Sequence, residues 1–171
     1  MKESSYLAAL SREIEIYVGG KVIKRHDAST LGLPDSEHVM DGIVVYLEAK
    51  IDNGNLIVED NQLYAQPWNI VKKYRRQFEV CKLLSQHALV LYCIYYARYR
   101  FSAILTIEEL CQLQPKENGS TPYLHPNRLN SGHGIKEVKA FIETNRRSVY
   151  ERLKLREDGE GISREVRPLS E

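Results

Sequence analysis

From Leu83 to Tyr96 the chain reads Leu-Leu-Ser-Gln-His-Ala-Leu-Val-Leu-Tyr-Cys-Ile-Tyr-Tyr. Wound into a helix, this run is apolar on nearly every side. Such a helix is buried on most faces and forms the centre of a core. Its uninterrupted apolar part, Ala88 to Ala97, is too short to span a bilayer, which takes about 20 residues. We therefore expect residues 70–101 to be helical, with Leu84, Ala88, Leu91, Cys93 and Ile94 almost fully buried. The 171 residues suffice for one ordinary domain or two small units sharing a core.

Upstream of this run the patterning is β-like. Residues 4–12 suit a short amphipathic helix with Tyr6, Leu7 and Leu10 on one side. Ile14, Ile16 and Val18 then alternate, and Gly19-Gly20 precedes Lys21 to Arg25, which predicts a hairpin. Residues 26–42 read as a loop. Ile43, Val45, Leu47, Ala49 and Ile51 alternate with Val44, Tyr46, Glu48, Lys50 and Asp52, a period of two. Asn53-Gly54 follows, and a two-residue turn there would pair Ile51 with Leu56 and Ala49 with Val58. A helix over 36–52 is the competing reading, disfavoured by the density of β-branched residues. The expected fold class is α+β, with a small N-terminal antiparallel β unit packed on a helical C-terminal part.

Charge divides the same way. Residues 1–69 hold 6 Lys/Arg against 11 Asp/Glu, while residues 70–171 hold 18 against 12. An acidic β-rich unit (1–69) and a basic helical unit (70–171) are expected. Such asymmetry fits either a polyanion-binding half or two faces that attract each other. Three cysteines, Cys81, Cys93 and Cys111, are too few and too apolar in setting for a disulfide framework. They fit free thiols in a reducing compartment. With no signal-peptide pattern at the N-terminus, a cytoplasmic protein is expected.

Downstream, Thr106 to Glu109 matches a capping box opening a short helix, Ile107 to Gln114, before Pro115. Residues 115–134 form a long Pro/Gly-rich loop of the kind that often carries function. A last helical region runs from Ile135 to about Leu155. Within it, Glu137-Val138-Lys139-Ala140-Phe141-Ile142-Glu143-Thr144-Asn145-Arg146-Arg147-Ser148-Val149-Tyr150-Glu151-Arg152-Leu153 resembles the helix-turn-helix family of DNA-binding motifs. Val138 and Ile142 stand where the first helix buries its inner face, Asn145 at the second helix's N-cap, and Val149 and Leu153 where that helix packs back. Residues 153–167 resemble the exit from a recognition helix into a winged hairpin. The resemblance implies helices at 135–143 and 146–155 with a turn at Thr144-Asn145. It also implies a nucleic-acid surface of Lys139, Asn145, Arg146, Arg147, Ser148, Tyr150, Lys154 and Arg156.

Other chemistry is sparse. Tyr92, Tyr95, Tyr96 and Tyr99 interleave with Arg98 and Arg100, a pattern that can stack on single strands. Their helical recurrence favours core packing. His26, His38, His125, His133 and Cys111 form no closely spaced ligand pairs, so no metal site is expected. No nucleophile triad, phosphate-binding glycine loop or carboxylate–histidine pair stands out, so neither an enzyme nor a cofactor is expected. The resulting expectation is a DNA-binding regulator. The alternative is a non-catalytic adaptor or subunit that binds a protein partner through the N-terminal β unit or the 115–134 loop.

Overall fold

The computed structural model describes residues 1–25 and 32–165. A six-stranded sheet in the order β1-β2-β3-β6-β7-β8 organises them. Its strands are β1 (Lys21–Lys24), β2 (Ser36–Met40), β3 (Ile43–Asp52), β6 (Leu89–Tyr96), β7 (Phe101–Thr106) and β8 (Asn130–Ser131). β3 and β6 run parallel and every other pairing is antiparallel. A separate ribbon pairs β4 (Ile57–Glu59) with β5 (Gln62–Tyr64). The helices are α1 (Glu3–Tyr17), α2 (Trp68–Lys73), α3 (Arg75–Leu84), α4 (Ile107–Gln112) and α5 (Ile135–Glu165). The acidic 1–69 and basic 70–171 segments thus share one sheet, with β1–β3 from the first and β6–β8 from the second.

The constraining apolar run is mostly strand, not helix. Leu91, Cys93 and Tyr95 enter the core that α1 and α5 form on one face. Val90, Tyr92, Ile94 and Tyr96 enter the core under α2, α3 and α4 on the other. A strand buried on both faces is apolar throughout, and periodicity alone cannot separate it from a buried helix. Its aromatic and β-branched residues suit the strand. Leu91, Cys93 and Ile94 are fully buried. Leu84 and Ala88, which precede the strand, are only half-buried. Leu91→Ala removes a central side chain, and we expect a stability loss of about 2–5 kcal/mol. A denaturant titration checks this, and a loss below about 1 kcal/mol would place β6 at the periphery.

Other turns also depart from expectation. α1 continues through Glu13–Tyr17, where a strand was expected, because Ile14 is fully buried on the sheet. Gly19 and Gly20 end it at φ +96° and +72°. A Cβ at Gly20 would stand 2.5 Å from the Val39 carbonyl oxygen, so the position requires glycine. The β2–β3 hairpin turns at Asp41-Gly42, both at positive φ, as a two-residue primed turn needs. Asn53-Gly54 does not fold Leu56 and Val58 back onto Ile51 and Ala49. Ala49 pairs instead with Cys93, and Ile51 with Tyr95. Burial of both faces of β3 against a distant strand outweighs the local turn preference.

α5 is one uninterrupted helix from Ile135 to Glu165. Thr144 and Asn145 lie within it, so the expected turn between two helices is absent. Gly159 is helical as well, where a winged hairpin was expected to begin. Residues 166 and 167, the end of that expected hairpin, lie outside the described residues. Val138 and Ile142 are fully buried against the sheet, whereas Leu153 and Leu155 are exposed. The helix is anchored by its first turns and projects beyond them.

The capping box forms as expected, with Thr106 accepting from the Glu109 amide and Glu109 accepting from the Thr106 amide. Arg128 extends it. Its guanidinium reaches Glu109 at 2.7 Å, Glu137 of α5 at 2.7 Å and the Ile104 carbonyl at 3.0 Å. Burial alone would raise the Glu109 pKa, but hydrogen bonds from Arg128 and Thr106 outweigh it and hold the carboxyl below its usual value. Arg128 ties the 115–134 segment to two helices and a strand. We expect Arg128→Ala to cost about 2–3 kcal/mol, read by thermal or denaturant unfolding. An unchanged midpoint would show that these ion pairs contribute nothing net.

Candidate active site

Period two puts Glu48 and Lys50 on the same face of β3. On a sheet edge that face would be wet. Here it packs toward the core under α2 and α3, and the two side chains are 0% and 1% exposed. A buried carboxylate next to a buried ammonium is costly unless further groups compensate it. Two more carboxylates favour the Lys50 charge and disfavour that of Glu48. Lys50 Nζ lies 2.5 Å from Glu48 Oε1, 3.1 Å from Glu3 Oε1 and 4.0 Å from Asp35 Oδ2. Unlike Glu48, Asp35 and Glu3 are partly open to solvent, at 24% and 37%.

The backbone explains how residues so distant in sequence meet. β2 pairs with β3 only from Ser36, opposite Leu47, onward. Asp35, one residue before, turns its side chain into the place of the next ladder bond. Its Oδ2 accepts from the Ala49 amide at 2.9 Å, and its own amide donates to Glu48 Oε2 at 3.2 Å. Beyond Glu48, β3 has only β6 beside it. Glu3, in the first turn of α1, reaches Lys50 at this opening. Tyr74, between α2 and α3, closes the other side with its ring 4.7 Å from Lys50 Nζ, a cation–π contact.

The electrostatics are unusual for a merely structural pair. Burial pushes the Glu48 carboxyl up to about 7, even though Lys50 pulls it down. For Lys50, burial opposes the charge, but Glu48, Asp35 and Glu3 outweigh it and raise the ammonium pKa. Glu48 Oε1 is held by Lys50 and Oε2 accepts from the Asp35 amide, so both oxygens of this buried carboxylate are engaged. A carboxyl so shifted beside a specific charge partner makes this cluster a candidate functional site. The expectation that no group of residues forms a site is corrected to this extent: Glu3, Asp35, Glu48 and Lys50 meet in one cluster that qualifies as a candidate active site.

In the sequence these residues are inconspicuous because the even positions of β3 resemble a solvent face. The available signal was a Glu-x-Lys pair following Val44 and Tyr46 on the same face. Opposite charges continuing an apolar series in a strand are more costly than a surface explains.

The residues expected to contact DNA lie elsewhere, all on α5. Arg146 pairs with Asp41 at the β2–β3 turn, and Tyr150 Oη donates to Asp41 at 3.5 Å. Lys139 lies 3.9 Å from Glu143. Asn145 lines a cleft of about 870 Å³ bounded by Gly42–Val44, the α3–β6 loop and α4. Arg147, Ser148, Lys154 and Arg156 are exposed along the helix. None of them reaches the Lys50 cluster. With the turn missing, no recognition helix is set off from a supporting one, and the expectations of a winged-helix regulator and of a non-catalytic adaptor give way to the cluster on β3.

Among the described residues, no helix is long and apolar enough to cross a membrane. Cys81, Cys93 and Cys111 are free thiols, as expected. Burial pushes the thiols of Cys81 and Cys93 up, so neither is a ready nucleophile.

No protein-family model matches the chain, and no curated protein matches it. Among solved structures it is similar to a Holliday junction resolvase from the archaeal hyperthermophile Archaeoglobus fulgidus, at 11% identity and a TM-score of 0.43, over 80% of this chain and 97% of that one.

Proposed function

We propose that this chain is an enzyme that hydrolyses phosphodiester bonds in DNA with the help of a divalent cation. The observation that carries the proposal is Lys50 ringed by Glu3, Asp35 and Glu48. Carboxylate oxygens are hard donors and suit Mg²⁺ or Mn²⁺. Among the described residues, no three Asp, Glu, His or Cys side chains stand grouped as a ready metal cage, since these carboxylates face the Lys50 ammonium. Their chemistry fits a cation nonetheless. Asp35 and Glu3 open toward solvent, and Glu48 stands beside Asp35 with one oxygen on Lys50 and the other on the Asp35 amide. Asp35 and Glu48 would hold the ion, with Glu3 beside them.

A cation bound there would stabilise negative charge developing on a phosphoryl group. Lys50 supplies the rest of the chemistry. Its ammonium has three N–H donors and stays protonated among the carboxylates. It is therefore suited to donate to a phosphate oxygen or to orient an attacking water. Tyr74 and the three carboxylates fix its position, so little reorganisation is needed during reaction. Residues 70–171, with 18 Lys/Arg against 12 Asp/Glu, supply most of α2 and all of α3 over this face and suit a polyanionic substrate.

The test is incubation of end-labelled duplex and single-stranded DNA with the purified chain in Mg²⁺ or Mn²⁺, and in EDTA. We expect strand cleavage that EDTA abolishes. Intact DNA under both cations would contradict the proposal.

A further inference from the structure

Beside the carboxylate cluster the chain reads Lys72-Lys73-Tyr74-Arg75-Arg76. Tyr74 breaks the path between α2 and α3 with φ −122° and ψ 44°, forming an elbow. All four cations on the elbow are exposed. Among the described residues, Lys72, Lys73 and Arg76 have no ion-pair partner, and Arg75 has only an exposed 3.8 Å contact with Glu79. Four positive charges within five residues repel one another.

Fold stability accounts for only half of this placement. Lys72 and Lys73 end α2, where cations complement the helix dipole. Arg75 and Arg76 open α3, where cations oppose it, and that first turn holds no acidic residue. The elbow also touches the active cluster directly. The Tyr74 ring has Lys50 Nζ at 4.7 Å and Lys73 Nζ at 5.5 Å. The row of cations therefore begins where the carboxylate–lysine centre ends.

We infer that the Lys72–Arg76 elbow is the surface that grips the backbone phosphates of the nucleic acid and leads it to the Lys50 centre. This deepens the proposed function by locating its substrate-binding edge on the side of α2 and α3, away from α5. Contact with phosphates is independent of base sequence, so the elbow gives affinity and register without base specificity.

The experiment is fluorescence anisotropy with a labelled 30-base-pair duplex in EDTA, at several salt concentrations. It compares the wild type with K72A/K73A/R75A/R76A and with the control K136A/K139A/R147A/K154A on α5. Circular dichroism checks that each variant is folded. Each phosphate contact contributes roughly 0.9 to the slope of log affinity against log salt. The elbow variant should therefore lose about 3–4 from the slope and on the order of 100-fold in affinity at low salt. The α5 variant should stay within about threefold of the wild type. Unchanged affinity and slope in the elbow variant, or a loss confined to the α5 variant, would overturn the inference. So would a wild type that ignores DNA, including one that binds anionic phospholipid vesicles instead. Because EDTA removes the cation, binding and cleavage fail separately. Elbow-dependent binding without cleavage would uphold the inference and sink the hydrolase. Cleavage with elbow-independent binding would do the reverse.

Discussion

At pH 8, Lys50→Met should lower the unfolding free energy by about 3–5 kcal/mol, the usual consequence of removing one partner of a buried ion pair. Methionine keeps the apolar stem, so the loss reports the missing charge and not a cavity. With Lys50 gone, Glu48 is a fully buried carboxylate with Asp35 and Glu3 nearby and no cation in contact. At pH 5 the expected loss is much smaller. Glu48 has its pKa near 7 even with Lys50 present, so at pH 5 it is protonated and neutral in both proteins. Urea titrations in EDTA at the two pH values test this. Equal losses at both would mean that Lys50 contributes packing alone.

Glu48→Gln probes the same pair from the other side. The folded-state pKa of Glu48 is raised from 4.5 to about 7. The folded protein therefore binds more protons than the unfolded chain between those values, and stability falls as pH rises. The contribution is fully present below about 4.5 and lost as pH rises through about 7. At about 1.36 kcal/mol per pH unit, the window spans roughly 3 kcal/mol. Lys50 stays charged throughout, and other titrating groups cancel between wild type and variant. The stability of Glu48→Gln relative to wild type should thus rise by roughly 3 kcal/mol from pH 4.5 to 7.5. A difference independent of pH would show that Glu48 is an ordinary carboxylate.

Local signals in the sequence proved more legible than distant ones. The capping box at Thr106 and Glu109 and the alternation along β3 are written within a few residues, and both form. The identity of β6 depends on what covers it. With α1 and α5 on one face and α2, α3 and α4 on the other, a strand becomes as uniformly apolar as a buried helix. The parallel β3–β6 pairing joins Ala49 to Cys93, a contact that no turn signal announces. On α5, Asn145 resembles a helix cap, but Val138 and Ile142 on one side and Val149 on the other continue a single helical course. The site was the least legible part. Glu3, Asp35, Glu48 and Lys50 come from a helix, a loop and a strand. Only the end of β2 at Ser36 makes the opening where they meet.

Single-turnover cleavage of labelled duplex DNA by wild type and Asp35→Asn, with DNA binding measured in parallel in EDTA, tests the central claim most directly. Asparagine keeps the Asp35 amide and a side-chain oxygen for the Ala49 amide, but removes the charge. If Asp35 serves the proposed hydrolysis, DNA binding should be unchanged and the cleavage rate lower by on the order of 100-fold or more, as for loss of one charge-stabilising group in a preorganised site. Equal cleavage rates in the two proteins would contradict it and place the chemistry away from Lys50.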